Sequence, residues 1–173
     1  MDAIERAKAI RLVIFDVDGV LTDGGLYFDD DGRQYKRFHS RDGHGLRMLG
    51  DAGLQTAILT GRRSGVVEHR ARELRIDHVI QGQREKLPAF VELCQRQGLT
   101  AEQTAYMGDD LLDLPVMRRC GLALAVADAH PLVRQHAHWL SHCNGGGGAV
   151  REACEFILRA QGRLEAALAR WLD

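Results

Sequence analysis

Short apolar runs, each stopping at a polar or acidic residue, alternate along this chain with stretches whose apolar residues recur every three or four positions. Runs of four or five apolar residues are too short for helices and read as buried strands. The segments between them read as crossover helices. The pattern predicts an α/β fold, a mostly parallel sheet flanked by helices, in a single domain over residues 1–173. Leu12 to Phe15 is the expected central strand. Leu26 to Phe28 and Gln34 to His39, around the acidic turn Asp29-Asp30-Asp31-Gly32, predict an aromatic hairpin inserted over about 24–40. Asp42 to Gly53 predicts a helix with Asp42 as its cap, Leu46 and Leu49 inward and Gly53 as its stop. Gln55 to Leu59 is a strand, and Ser64 opens a helix that runs to about Arg75. Glu85 to Gln97 is a further helix, with Pro88 tolerated in its first turn. Thr100-Ala-Glu-Gln103 has the form of a capping box. Thr104 to Met107, Leu122 to Val126 and His138 to Leu140 complete the strands, and Ala149 to about Leu172 predicts one long terminal helix. No repeat, linker or second domain interrupts the series.

Bulk properties remove several classes of function. The chain has 173 residues, enough for one domain with a real core. Lys plus Arg number 23 against 24 Asp plus Glu, a net charge of −1, which argues against nucleic acid as a partner. No apolar run is long enough to span a bilayer, and the N-terminus lacks a signal-peptide pattern. Cys94, Cys120, Cys143 and Cys154 are widely spaced and read as reduced thiols, an expectation of a cytoplasmic protein.

The candidate chemistry lies where the apolar runs stop. Leu12-Val-Ile-Phe15 ends in Asp16-Val17-Asp18-Gly19. Two carboxylates at the end of a buried strand are costly unless a cation or a proton-transfer task accompanies them. Thr56-Ala-Ile-Leu59 ends in Thr60-Gly61-Arg62, Lys86 follows the run at His78 to Ile80, and Thr104 to Met107 ends in Gly108-Asp109-Asp110 with Asp113 three residues on. This suits phosphate chemistry. Asp16 is the candidate nucleophile and Asp18 the acid and base. Oxygen ligands alone suit Mg²⁺. Thr60, the Gly61 amide and Lys86 can hold phosphoryl oxygens.

A second polar group, His39-Ser40-Arg41-Asp42-Gly43, opens a helix and suits an anion, with Arg47, Arg62 and Arg70 as further candidate substrate contacts. So many arginines imply a substrate carrying more negative charge than one phosphate, a carboxylate included. Any one of them can equally be a solvated helix face, Arg70 above all. His136, His138 and His142 make a poor zinc site without a nearby Cys or acid. Gly43-His-Gly45 lacks the third glycine of a dinucleotide loop. Asn144-Gly145-Gly146-Gly147-Gly148 reads either as a connector or as a loop admitting close backbone approach.

Acid pair, hydroxyl, lysine and acid pair, in that order, resemble the haloacid dehalogenase-like phosphatases over nearly the whole chain. Asp16 to Asp23, Arg41 to Arg47, Thr60 to Arg62, Gly82-Gln83, Met107 to Asp110, Ala125 to Pro131 and Gly148 to Glu152 resemble the capless sugar-acid phosphatases within that superfamily. The resemblance implies a Rossmann-like fold with a small β-hairpin in place of a cap domain. It implies a magnesium-dependent homotetramer with sites at subunit interfaces, acting through an aspartyl-phosphate. The implied metal ligands are the Asp16 side chain, the Asp18 main-chain carbonyl and Asp109, with Asp110 and Asp113 behind them. The implied substrate is an eight-carbon keto-acid phosphate of lipopolysaccharide precursor synthesis. The alternatives are a nine-carbon sugar-acid phosphate or a non-catalytic module. One departure stands out: many members carry arginine where this chain has Gly147. The gaps from Asp18 to Asp42 and from Thr60 to Lys86 are too short for a lid domain. The site is therefore expected to be open, or roofed by another subunit.

Overall fold

The computed structural model describes residues 2–169, 171 and 172, so Met1, Arg170 and Asp173 lie outside the described part of the expected 1–173 domain. Six strands, β1 (Leu12–Phe15), β4 (Gln55–Leu59), β5 (His78–Ile80), β6 (Thr104–Gly108), β7 (Leu122–Ala125) and β8 (Trp139–Leu140), form one parallel sheet in the order β5-β4-β1-β6-β7-β8. Between β1 and β4 stands a separate two-stranded antiparallel hairpin, β2 (Tyr27–Phe28) and β3 (Gln34–Tyr35). Every residue of β1 is buried, as are those of β6 and β7. Their continuous apolar character follows from having helices on both faces.

The helices are α1 (Ala3–Lys8), α2 (Ser40–Asp51), α3 (Gly65–Leu74), α4 (Lys86–Gln97), α5 (Leu114–Met117), α6 (Pro131–His136), α7 (Ala149–Ala160) and α8 (Leu164–Ala169). The chain steps outward from β1 through β4 to β5, then crosses to β6 and steps outward on the other side. Right-handed crossovers made in opposite directions put helices on opposite faces. Accordingly α2 and α1 pack against α7, while α4 packs against α5. The reversal leaves a crevice at the carboxyl ends of β1, β4 and β6, the place where such sheets bind ligands. Among the described residues no helix is long and apolar enough to cross a membrane.

Three predicted elements differ in the structure. The hairpin arms are shorter than expected: only Tyr27 and Phe28 pair with Tyr35 and Gln34, and past them Phe38 bridges Thr22 instead of continuing the ladder. Helix α2 begins at Ser40 rather than Asp42, and Asp42 is not its cap. The single terminal helix is two. Gly162, at φ +66°, closes α7 in a Schellman turn: its amide donates to Arg159 O at 3.0 Å and the Arg163 amide donates to Leu158 O at 2.8 Å.

Candidate active site

Asp16 ends β1, and its Oδ1 accepts the Val17 amide at 2.7 Å. The chain then makes a tight turn over Val17–Leu21, closed by the Thr22 amide on Val17 O at 3.0 Å. Gly19 permits it: φ is +88°, and a Cβ there would stand 2.1 Å from Oδ2 of Asp109. The loop Asn144–Gly148 packs against the back of the turn, its Gly146 amide donating to Val20 O at 2.9 Å. At Gly145 a Cβ would fall 1.8 Å from Gly19 O, so these glycines serve close backbone approach. Gly147 meets only its own loop.

The strand ends bring Asp16, Asp18, Thr60, Gly61, Arg62, Lys86, Asp109, Asp110 and Asp113 around one open cleft of ≈ 300 Å³. Lys86, buried at the start of α4, places Nζ 2.7 Å from Asp16 Oδ2 and 2.6 Å from Asp113 Oδ1. Both oxygens of Asp113 are occupied. Oδ1 also accepts the Tyr106 hydroxyl at 2.6 Å, and Oδ2 accepts the amides of Asp109 and Asp110 at 2.9 and 3.1 Å. Asp113 therefore fixes the acidic turn from behind. Asp110 caps the short turn after β6, accepting the Leu111 amide at 2.8 Å. Thr60 is held by its amide on Ile80 O and by the Gln83 amide on its own carbonyl, at 3.0 and 3.1 Å.

The carboxylates of Asp16, Asp109 and Asp113 are close enough to share a cation. Asp113 has no oxygen to spare, which leaves Asp16 and Asp109. Oδ1 of Asp109 is buried with no hydrogen-bond partner. Burial first, then the Asp113 and Asp16 carboxylates, push Asp109 up to about 8. Burial, then Asp113, raise Asp16 to about 6 against the opposing pull of Lys86. Burial alone would lower Lys86, but Asp113 and Asp16 outweigh it and its pKa is raised. An orphaned carboxylate oxygen among groups that resist ionisation fits a hard divalent cation.

Other predicted residues lie elsewhere. Oδ1 and Oδ2 of Asp42 accept the amides of Arg151 and Gly148 at 2.8 and 3.3 Å, capping α7 rather than α2. Arg70 pairs with Glu73 at 2.8 Å and stacks 5.8 Å from the Phe38 ring. With His39, Asp42 and Gly43 it lines a narrow crevice of ≈ 10 Å³ rather than the cleft. Ser40 and Arg41 are exposed at the start of α2. Arg47 is not brought to the cleft in this chain. It lies 3.7 Å from Asp51 and lines a groove with Gln55 and Asp77, at the amino ends of β4 and β5.

Sequence reasoning missed Lys36. From the hairpin it forms an ion pair with Asp18 Oδ1, while Arg62 Nε lies 3.9 Å from Oδ2. The alternation Tyr35 out, Lys36 in, Arg37 out, Phe38 in was the available signal. Tyr106 was also missed, a hydroxyl-bearing residue in the middle of a fully buried strand.

Comparison with known proteins agrees with this geometry. A family profile described as haloacid dehalogenase-like hydrolase matches residues 76–153. The chain is 51% identical over 166 residues to the 3-deoxy-D-manno-octulosonate 8-phosphate phosphatase of Yersinia pestis, covering 96% of this chain and 89% of the relative. The enzyme of that name from Escherichia coli strain K12 is 48% identical, with 96% and 88% covered. A solved structure of the Moraxella catarrhalis enzyme, in complex with magnesium ion, phosphate ion and KDO, superposes with a TM-score of 0.96 at 41% identity, covering 98% of this chain and 97% of that one. The chain belongs to the 3-deoxy-D-manno-octulosonate 8-phosphate phosphatase family of haloacid dehalogenase-like hydrolases.

Proposed function

We propose that this protein is the magnesium-dependent phosphatase that converts 3-deoxy-D-manno-octulosonate 8-phosphate to the free sugar acid and phosphate, in lipopolysaccharide precursor synthesis. One observation carries the reading: in a chain 51% identical to an enzyme of that activity, Asp16, Lys86 and Asp109 meet at one cleft. Asp16, at the end of a rigid strand, attacks phosphorus in line and forms an aspartyl-phosphate. Asp18 gives its proton to the bridging oxygen as the P–O bond breaks, then takes one from the water that opens the intermediate. Thr60 and the Gly61 amide hold one phosphoryl oxygen, and Lys86 neutralises another while fixing Asp16. The Asp16 carboxylate, the Asp18 main-chain carbonyl and Asp109 would hold magnesium, whose charge lets a carboxylate and a phosphate approach one another.

The cleft has no lid within the chain, and Leu26 and Leu112 on its rim are 50% and 55% exposed. Tyr27, Phe28 and Tyr35 of the hairpin are exposed as well. A homotetramer in which neighbouring hairpins pair would cover these surfaces and exclude water from the site. Among the cleft residues Arg62 is the one arginine, and Arg41, exposed on α2, would serve a neighbour's cleft in such an assembly. All four cysteines are free thiols, which supports a cytoplasmic location.

The test is phosphate release with magnesium from a panel of sugar-acid and neutral sugar phosphates, alongside sedimentation velocity. A preference in kcat/KM of a hundredfold or more, roughly, for the eight-carbon keto acid is expected. Equal kcat/KM for glucose 6-phosphate would reduce the protein to an unspecific phosphatase, and a fully active monomer would refute the roof.

A further inference from the structure

The hairpin is exposed along most of its length, yet the Lys36 side chain is 2% exposed. Alternation past β3 turns Lys36 and Phe38 inward, and the Thr22–Phe38 bridge pins that arm to the end of the Asp16 turn. Asp23 clamps the base further, accepting the Tyr27 hydroxyl at 2.9 Å and an Arg37 guanidinium N–H at 3.3 Å. A buried ammonium is costly unless it meets an anion, and the carboxylate it meets is that of Asp18.

We propose that Lys36 is a positioning residue for Asp18, holding the acid–base carboxylate at the leaving-group side of the cleft. This rests on the reading of Asp18 as the proton donor and acceptor. Asp18 needs such a partner because it stands just beyond the strand, in the turn, with 20% of its side chain exposed. The nucleophile two residues earlier is anchored by Lys86 and the Val17 amide. Arg62, at 3.9 Å and 47% exposed, is too distant and too solvated a partner to fix Asp18 by itself. The hairpin thus acts on the chemistry of its own subunit, apart from any role in assembly.

Leaving groups provide the test. An alkyl phosphate needs its departing oxygen protonated, whereas a nitrophenyl phosphate does not. Lys36→Met should lower kcat roughly ten- to a hundredfold on both the keto-acid substrate and glycerol 3-phosphate, and less than about threefold on 4-nitrophenyl phosphate. Lys36→Arg should restore most of the alkyl rate, with KM little changed. Lys36→Gln serves if the methionine variant is not recovered folded. A loss confined to the keto-acid substrate would make Lys36 a sugar contact and overturn the proposal. So would equal losses on alkyl and aryl esters, or no loss on any. Asp18→Asn is run beside it. Should that variant fail to separate alkyl from aryl esters, the acid–base reading itself falls, and with it this role for Lys36. Should it separate them while Lys36→Met does not, only the lysine assignment falls.

Discussion

Asp42 on α2 accepts the backbone N–H of Arg151 at 2.8 Å, joining two helices 109 residues apart in sequence. The same carboxylate takes the Gly148 amide, so the first turn of α7 is capped by another helix. Asp42→Ala should therefore cost about 1–2 kcal/mol of stability, lowering Tm by roughly 2–8 °C in calorimetry. Asp42→Asn, which keeps an acceptor, should recover part of it.

Asp16→Asn should leave the fold intact and abolish turnover by more than about a thousandfold, since an amide does not attack phosphorus. EDTA should silence the wild type and magnesium restore it. Circular dichroism and phosphate release check both, and activity indifferent to chelation would contradict the site as described.

Metal binding should tighten with pH. In the metal-free protein the folded state raises Asp109 to about 8 and Asp16 to about 6, so it binds more protons than the unfolded chain above pH 4 or so. These groups make the metal-free protein less stable as pH rises, through about 6 for Asp16 and about 8 for Asp109. Magnesium competes with those protons. The rise in Tm on adding magnesium should be larger at pH 8.5 than at pH 5.5, read by scanning fluorimetry.

Gly19→Ala should strike the metal site rather than the core. A methyl group would stand 2.1 Å from Asp109 Oδ2, at a backbone φ of +88°. Magnesium affinity should fall at least about tenfold by calorimetric titration. Gly50→Ala is the control. Its Cβ would meet nothing within 4 Å on α2, and it should be neutral or stabilise by up to about 1 kcal/mol.

Tyr106→Phe removes a buried hydroxyl that lies 2.6 Å from Asp113 and 3.2 Å from Lys86. The loss of these two hydrogen bonds, with Asp113 and Lys86 still paired, should cost about 1–3 kcal/mol. Because Lys86 is then less firmly held, kcat should fall several-fold while the KM for magnesium stays put.

Strands β1 and β4 agree with the sequence residue for residue, because burial on both faces makes the apolar run and the strand the same object. Asp16, Thr60 and Asp109 could be read for a related reason: each is a polar residue where such a run stops. Contacts made across the fold were not legible. Nothing local to Asp42 distinguishes a cap for its own helix from a cap for α7. Arg47 follows the anion-like segment closely in sequence, but two turns of helix carry it about 10 Å along the axis to the other end of the sheet. Gly162 did mark the end of α7, but the amphipathic pattern continuing into α8 masked the break.

The parallel order also sets when the site can exist. A nascent chain that has emerged only as far as Ile80 already contains β1, β4 and β5, with Asp16 and Thr60 at their tips. It still lacks Lys86, Asp109 and Asp113, and β1 has a bare edge where β6 belongs. Insertion of β6 closes that edge and delivers Asp109 and Asp113 in one step, beside an α4 already made. The full set of catalytic residues therefore assembles in one step, with β6 and the turn to Asp113, and no fragment that ends before Asp113 should carry a share of turnover.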